Sequence, residues 1–171
     1  LPKVDLSAFQ LPVLAAAATP VFPAIADPAT HTAIPGKFVW FDLATSDTAA
    51  SQRFYGKVFG WEFQPLRGTQ ERYAVFRNEG RSIGGVFRPA PPPQGAAGPA
   101  PTGARWLSIA SVADMDRTVA AMTAGGAQVL VPPTVVDGMG SRALLRDSQG
   151  AIVGLLQSSS GDRMDAPVET G

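Results

Sequence analysis

Trp40 and Asp42 are the residues of this chain best placed to do chemistry. They sit two apart in the segment Lys37–Thr45, whose aromatic and β-branched content predicts a strand. Alternation then puts Phe38, Trp40, Asp42 and Ala44 on one face, and Val39, Phe41 and Leu43 on the other. An indole beside a carboxylate can stack on a flat ligand while the carboxylate acts as a general base or holds a ligand amine. The same pair can instead be structural, with Trp40 as a core aromatic and Asp42 ion-paired to Arg105 or Arg142. Other chemistries are excluded by inventory. The chain has no cysteine and one histidine, His31, which lies in the N-terminal arm, outside the segments that carry the other candidates. Thiolate metal sites, disulfides, a Cys nucleophile and a Ser-His-Asp set therefore drop out. There is no G-x-G-x-x-G and no P-loop.

The elements that must position these residues occur twice. Residues 38–55 read as an alternating strand, an Asp able to cap a helix (Asp47) and an amphipathic helix; residues 105–122 read the same way with Asp114. The halves end alike, with Ile-Gly-Gly-Val-Phe at 83–87 and Ile-Val-Gly-Leu-Leu at 152–156. The first helix is expected over about Thr48–Phe59, with Ala50, Phe54, Tyr55, Val58 and Phe59 as its apolar stripe and Gly60 as its stop. Strands follow near 61–65, 72–78 and 82–88. The second half repeats the order: a strand at 105–112, in which alternation turns Trp106 toward the helix side, and a helix at 115–124 with Met115, Val119 and Met122 inward. Strands near 128–131, 142–146 and 151–157 complete it, and Asp137-Gly138-Met139-Gly140 reads as a turn or a lid. Each half is thus β-α-β-β-β. A curved sheet with one helix leaves one face bare, so two such units share a cleft or cover each other, which is an α+β architecture.

Length and charge frame this reading. The 171 residues suit one domain, and zero formal net charge without a basic block argues against a nucleic-acid partner. Residues 1–36 form an N-terminal arm whose apolar run, 11–23, is interrupted by Pro12, Pro20 and Pro23, so no membrane span is expected. The arm reads either as the remnant of an export signal or tether, or as a low-complexity segment that packs on its own domain or a neighbour. The domain is expected over 37–158, as modules 37–88 and 104–158 joined by a Pro-, Ala- and Gly-rich linker, 89–103, with a tail at 159–171.

The repeat, together with Thr45-Ser46-Asp47, Phe54-Tyr55 and Phe59-Gly60-Trp61 in one half and Val112-Ala113-Asp114-Met115-Asp116, Gly125-Gly126 and Asp147-Ser148-Gln149-Gly150 in the other, resembles the vicinal oxygen chelate superfamily. That superfamily includes glyoxalase I, extradiol dioxygenases and bleomycin resistance proteins. The resemblance covers about 36–158 and implies two βαβββ modules around a cleft, often with a divalent metal held by His, Gln or Glu from the first and last strands of each module. The matching positions here are Trp40, Leu107, about Gly85 and about Gly154, none of which ligates a metal through its side chain. The resemblance therefore implies a metal-ligand-lacking branch without a cofactor, often built as tandem copies of the domain, to which the tail 161–168 looks like a connector. The expected activity is metal-independent binding of a small molecule in a cleft lined by Trp40, Asp42, Gly85, Phe87, Leu107, Ile109, Arg142 and Gly154. The glycines there either admit a close-approaching ligand or backbone, or relieve sheet curvature. A lyase, isomerase or dioxygenase-type enzyme, drawing ligands from Asp42, Glu62 or Glu71, is the alternative. A non-catalytic interaction module is a third reading, and its sign would be a cleft filled by the chain's own side chains or by the arm. A homodimer or a second tandem domain is the expected protein partner.

Overall fold

The structure, a computed structural model, describes residues 20–69, 72–89 and 103–165. Residues 1–19, most of the 89–103 linker, Glu71 and the last six residues of the tail lie outside that description.

Asp47 and Asp114 start the two helices as their spacing predicts. The Asp47 carboxylate accepts from the Ala50 amide at 2.8 Å and that of Asp114 from the Arg117 amide at 2.9 Å. The first half consists of β1 (Phe38–Ala44), α1 (Thr48–Phe59), β2 (Glu62–Pro65), β3 (Tyr73–Asn78) and β4 (Arg81–Phe87). The second consists of β5 (Arg105–Ser111), α2 (Met115–Ala124), β6 (Gln128–Val136), β7 (Gly140–Arg146) and β8 (Ile152–Ser158). All eight strands form one curved sheet in the order β2-β3-β4-β1-β5-β8-β7-β6. The order mirrors itself about the antiparallel β1–β5 pair, and each half carries one parallel pair, β1–β4 and β5–β8. Two βαβββ units thus meet along their first strands.

The sheet has two packed faces. On the helix side, α2 lays Met115, Val119 and Met122 against Val112, Ala143, Leu145 and Leu155, as its periodicity predicts. α1 behaves differently. Its expected inward stripe is largely uncovered, with Phe54, Val58 and Phe59 each more than half exposed. Tyr55 turns in, onto Trp61 and Trp106 at ring-centroid distances of 5.5 and 5.4 Å, and Phe59 touches Trp61 at 5.0 Å while staying more than half exposed. Those indoles stand on Phe76, and Tyr55 also packs against the Leu43, Ala74 and Val86 cluster of the sheet, so α1 is held through one aromatic contact region and not along its whole stripe. Trp106 does face the helix side, but it remains 41% exposed.

On the concave side lies the main core, built from Trp40, Tyr73, Phe87, Leu107, Ile109, Met139, Leu144 and Leu156. A register shift between Phe38 and Trp40 breaks the alternation at the start of β1. Phe38 is therefore exposed, and Val39 packs against the concave core. β6 runs five residues past its expected end at Val131 because it is an edge strand, where Pro132 and Pro133 are tolerated at a second irregularity.

Candidate functional site: a sealed polar cluster on the concave face

β1 is central, so its inward side chains are covered from both halves. Trp40 and Asp42 are 0% and 1% exposed. A carboxylate this deep is tolerated only with its lone pairs satisfied. Asp42 Oδ1 accepts from the Tyr73 hydroxyl at 2.6 Å and the Trp40 indole N–H at 2.9 Å. Its Oδ2 accepts from Arg142 Nη2 at 2.7 Å. Trp40 Nε1 also lies 3.1 Å from the Tyr73 hydroxyl. Of the two arginines weighed for Asp42, Arg142 is thus the partner; Arg105 sits exposed opposite Ala44 at the end of β5.

The two groups that clamp Asp42 come from corresponding places in the two units. Tyr73 on β3 is paired with Phe87 on β4 as Arg142 on β7 is paired with Leu156 on β8. Burial, and then the Asp42 charge, push the Tyr73 phenol well above its usual range, so it stays a neutral donor. For Arg142, burial works to lower the pKa, but the Asp42 carboxylate and Tyr73 outweigh it and hold the guanidinium charged. Arg142 Nη1 is buried and has no hydrogen-bond partner among the described residues.

All eight residues expected to line a cleft lie on this face, packed together. Trp40, Phe87, Leu107 and Ile109 belong to one core cluster, and Asp42 and Arg142 form the ion pair inside it. Gly85 pairs with Asp42, and Gly154 with Ile109. A Cβ on Gly85 would collide with the Tyr73 phenol, and one on Gly154 would come within 2.7 Å of the Ile109 side chain. The glycines thus make room for neighbouring side chains of the same chain.

The arm closes what remains. Phe22 and Ile25 are 4% and 2% exposed, and Phe22 meets Tyr73 edge-on at 5.1 Å. The Phe22 amide donates to the Asp137 carbonyl at 2.9 Å, and the Phe22 carbonyl occupies the space a Cβ on Gly138 would need. Asp137–Gly140 is accordingly a turn that anchors the arm, with Met139 fully buried. Further along, the Ala26 amide donates to Ser160 Oγ at 3.0 Å and the Ile34 amide to Asp162 Oδ2 at 2.6 Å. The tail after β8 and the arm therefore bind each other across the sheet's end. Sequence reasoning missed Tyr73, Phe22 and Ile25. The available signal for Tyr73 was Gly85, a strand glycine on the neighbouring strand that leaves space for a ring.

Among the described residues no three His, Cys, Asp or Glu side chains come together as a metal site. No helix among them is long and apolar enough to cross a membrane.

Two βαβββ units joined through their first strands define a fold shared with known proteins. The profile of the Glyoxalase/Bleomycin resistance protein/Dioxygenase superfamily matches residues 37–154, and the chain belongs to that superfamily. It is 32% identical over 122 residues to CFP32 of Mycobacterium tuberculosis, which is named as a glyoxylase, covering 70% of this chain and 45% of the relative. It is 30% identical over 127 residues to the anthracycline biosynthesis protein DnrV of Streptomyces peucetius, covering 68% and 45%. The chain thus spans less than half the length of the curated relatives it matches. Among solved structures it is similar to methylmalonyl-CoA epimerase of Streptomyces coelicolor, with TM-score 0.53, 19% identity and coverage of 74% of this chain and 99% of that one.

Proposed function

We propose that this chain is a metal-independent, non-catalytic member of its superfamily that binds a small molecule without transforming it. The observation that carries the reading is the state of Asp42. It is the carboxylate at the centre of the concave face, and every donor it accepts from belongs to its own chain. The four positions where relatives would supply metal ligands hold Trp40, Leu107, Gly85 and Gly154. A divalent cation there would face the Arg142 guanidinium and would have to strip Asp42 of its donors. The residues present do not fit a metal.

The enzyme alternative has less support. A general base needs access to a substrate proton, and Asp42 lies beneath Trp40, Tyr73 and the arm. Glu62 is exposed on β2, away from the cluster. The chain's own side chains, with Phe22 and Ile25 of the arm, fill the concave face, which supports a structural role for that face and is the feature that favours an interaction module. The partner we propose is a second unit of the same fold. The greater length of the relatives supports it, and so does the uncovered aromatic face formed by Phe54, Val58, Phe59 and Trp106.

The test is melting temperature with and without excess Mn²⁺, Ni²⁺ or Zn²⁺. A ligand present at a hundred times its Kd stabilises the folded state by about 2.7 kcal/mol. No shift is expected here, and a saturable rise with one metal would sink the reading.

A further inference from the structure

The concave core is sealed, but the chain leaves a cavity of about 320 Å³ where β1 begins. That volume lies at the lower end of small-molecule sites. Its walls come from four separate parts of the chain: the arm at Ile25, the first residues of β1, the turn between β3 and β4, and the tail after β8. Phe38 and Phe41 supply an aromatic wall, with ring centroids 6.3 Å apart, and Ile83 adds to the apolar lining. Both rings are unusually exposed for phenylalanine, at 54% and 37%.

Three cations line the same cavity: Lys37, Arg81 and Arg163. Lys37 is engaged by the Asp165 carboxylate and by the Arg163 carbonyl. Among the described residues, Arg81 and Arg163 have no carboxylate within ion-pair distance; Glu79 lines the cavity without pairing to either. Burial first, and then the charge of Arg81, lower the Arg163 pKa from its ordinary value. Two like charges therefore line one cavity beside an aromatic wall, and of the carboxylates that share it among the described residues, Asp165 is taken by Lys37 and Glu79 pairs with neither arginine.

We propose that this cavity binds a small aromatic monocarboxylate, its carboxylate between Arg81 and Arg163 and its ring against Phe38 and Phe41. Guanidinium groups suit this task because their planar fork meets both oxygens of a carboxylate. Offset or edge contacts with the two phenylalanines orient the ring. The proposal rests on the reading of the chain as a metal-independent small-molecule binder, and it moves the ligand site from the concave face to this cavity.

The probe is 2-naphthoate, titrated into the full chain near physiological salt and followed by amide chemical shifts, with neutral 2-naphthylmethanol as the control. Saturable naphthoate binding is expected, with shifts at Phe38, Phe41 and Ile83 and with the alcohol at least about tenfold weaker. Arg81→Gln and Arg163→Gln should each weaken binding about tenfold, with melting temperatures close to that of the parent. Absence of saturation below about 5 mM, or equal binding by the parent and both variants, overturns the proposal. Metal content is measured on the same sample. Bound metal together with arginine-dependent naphthoate binding would sink the metal-independent reading alone. Metal-free protein that ignores naphthoate would sink this proposal alone.

Discussion

Removing Arg142 should leave Asp42 as an uncompensated charge in the core. Asp42 is 1% exposed, and Oδ2 has the Arg142 guanidinium as its hydrogen-bond donor. Breaking a buried pair from one side costs about 3–5 kcal/mol. In Arg142→Met the methionine keeps most of the aliphatic volume, and Trp40 and Tyr73 still hold Oδ1, so the lower end, about 3 kcal/mol, is expected. Asp42→Asn alone should cost a similar amount, because it strands the guanidinium. The double variant D42N/R142M removes both charges and keeps an acceptor for Trp40 and Tyr73, so it should lie within about 1 kcal/mol of the parent. The coupling between the two sites is then about 5 kcal/mol, far outside the additivity seen for independent positions. Urea unfolding followed by tryptophan fluorescence measures all four proteins. In a thermal melt the single variants should lose roughly 6–12 °C. A single variant within about 1 kcal/mol of the parent, or a double variant that simply sums the singles, would refute the reasoning and return Arg142 to the role of a ligand handle.

Three further outcomes follow from the same geometry. The Tyr73 pKa is raised in the folded state, so its stabilising contribution is complete below the unfolded value of about 10 and is lost as pH rises above it. Ultraviolet titration should therefore show Tyr73 ionising only together with loss of structure, and a Tyr73→Phe variant should abolish that step; reversible ionisation of both tyrosines in folded protein would contradict this. Phe22→Ala should cost about 3–5 kcal/mol in denaturant unfolding, the range for a core phenylalanine, whereas an arm lying loosely on the surface would cost almost nothing. If the α1 face seats a second unit, light scattering should find the isolated chain self-associating at high concentration, and Phe54→Glu with Phe59→Glu should return it to a monomer; unchanged association would remove that face from consideration.

Much of the architecture was legible because it rests on local signals. The two capping aspartates, the helix-ending Gly60 and the strand alternation of β1 fix the βαβββ order and put Trp40 and Asp42 on the concave face. Periodicity reports which face a residue takes, not what covers that face. It puts Phe54 and Val58 on the apolar stripe of α1 and Trp106 on the helix side, yet the first two stay more than half exposed, and Trp106 meets Tyr55 edge-on and stays 41% exposed. The same limit applies to Asp42. Its face was readable, but the choice between Arg105 and Arg142 depended on the order of strands in the sheet. Tyr73 reaches Asp42 across the β4 glycines, a contact between residues 31 apart that no local pattern encodes. The arm carries neither helical nor strand periodicity, and its place in the core is set by Phe22 and Ile25 filling a shape made by both units.

Elemental analysis of the purified chain, paired with melting before and after chelator, tests the central claim most directly. A concave core whose carboxylate, Asp42, is held by Trp40, Tyr73 and Arg142 predicts less than about a tenth of an equivalent of any divalent metal and no chelator effect. Close to one equivalent, with a lower melting temperature after chelation, would contradict it and restore the enzyme reading.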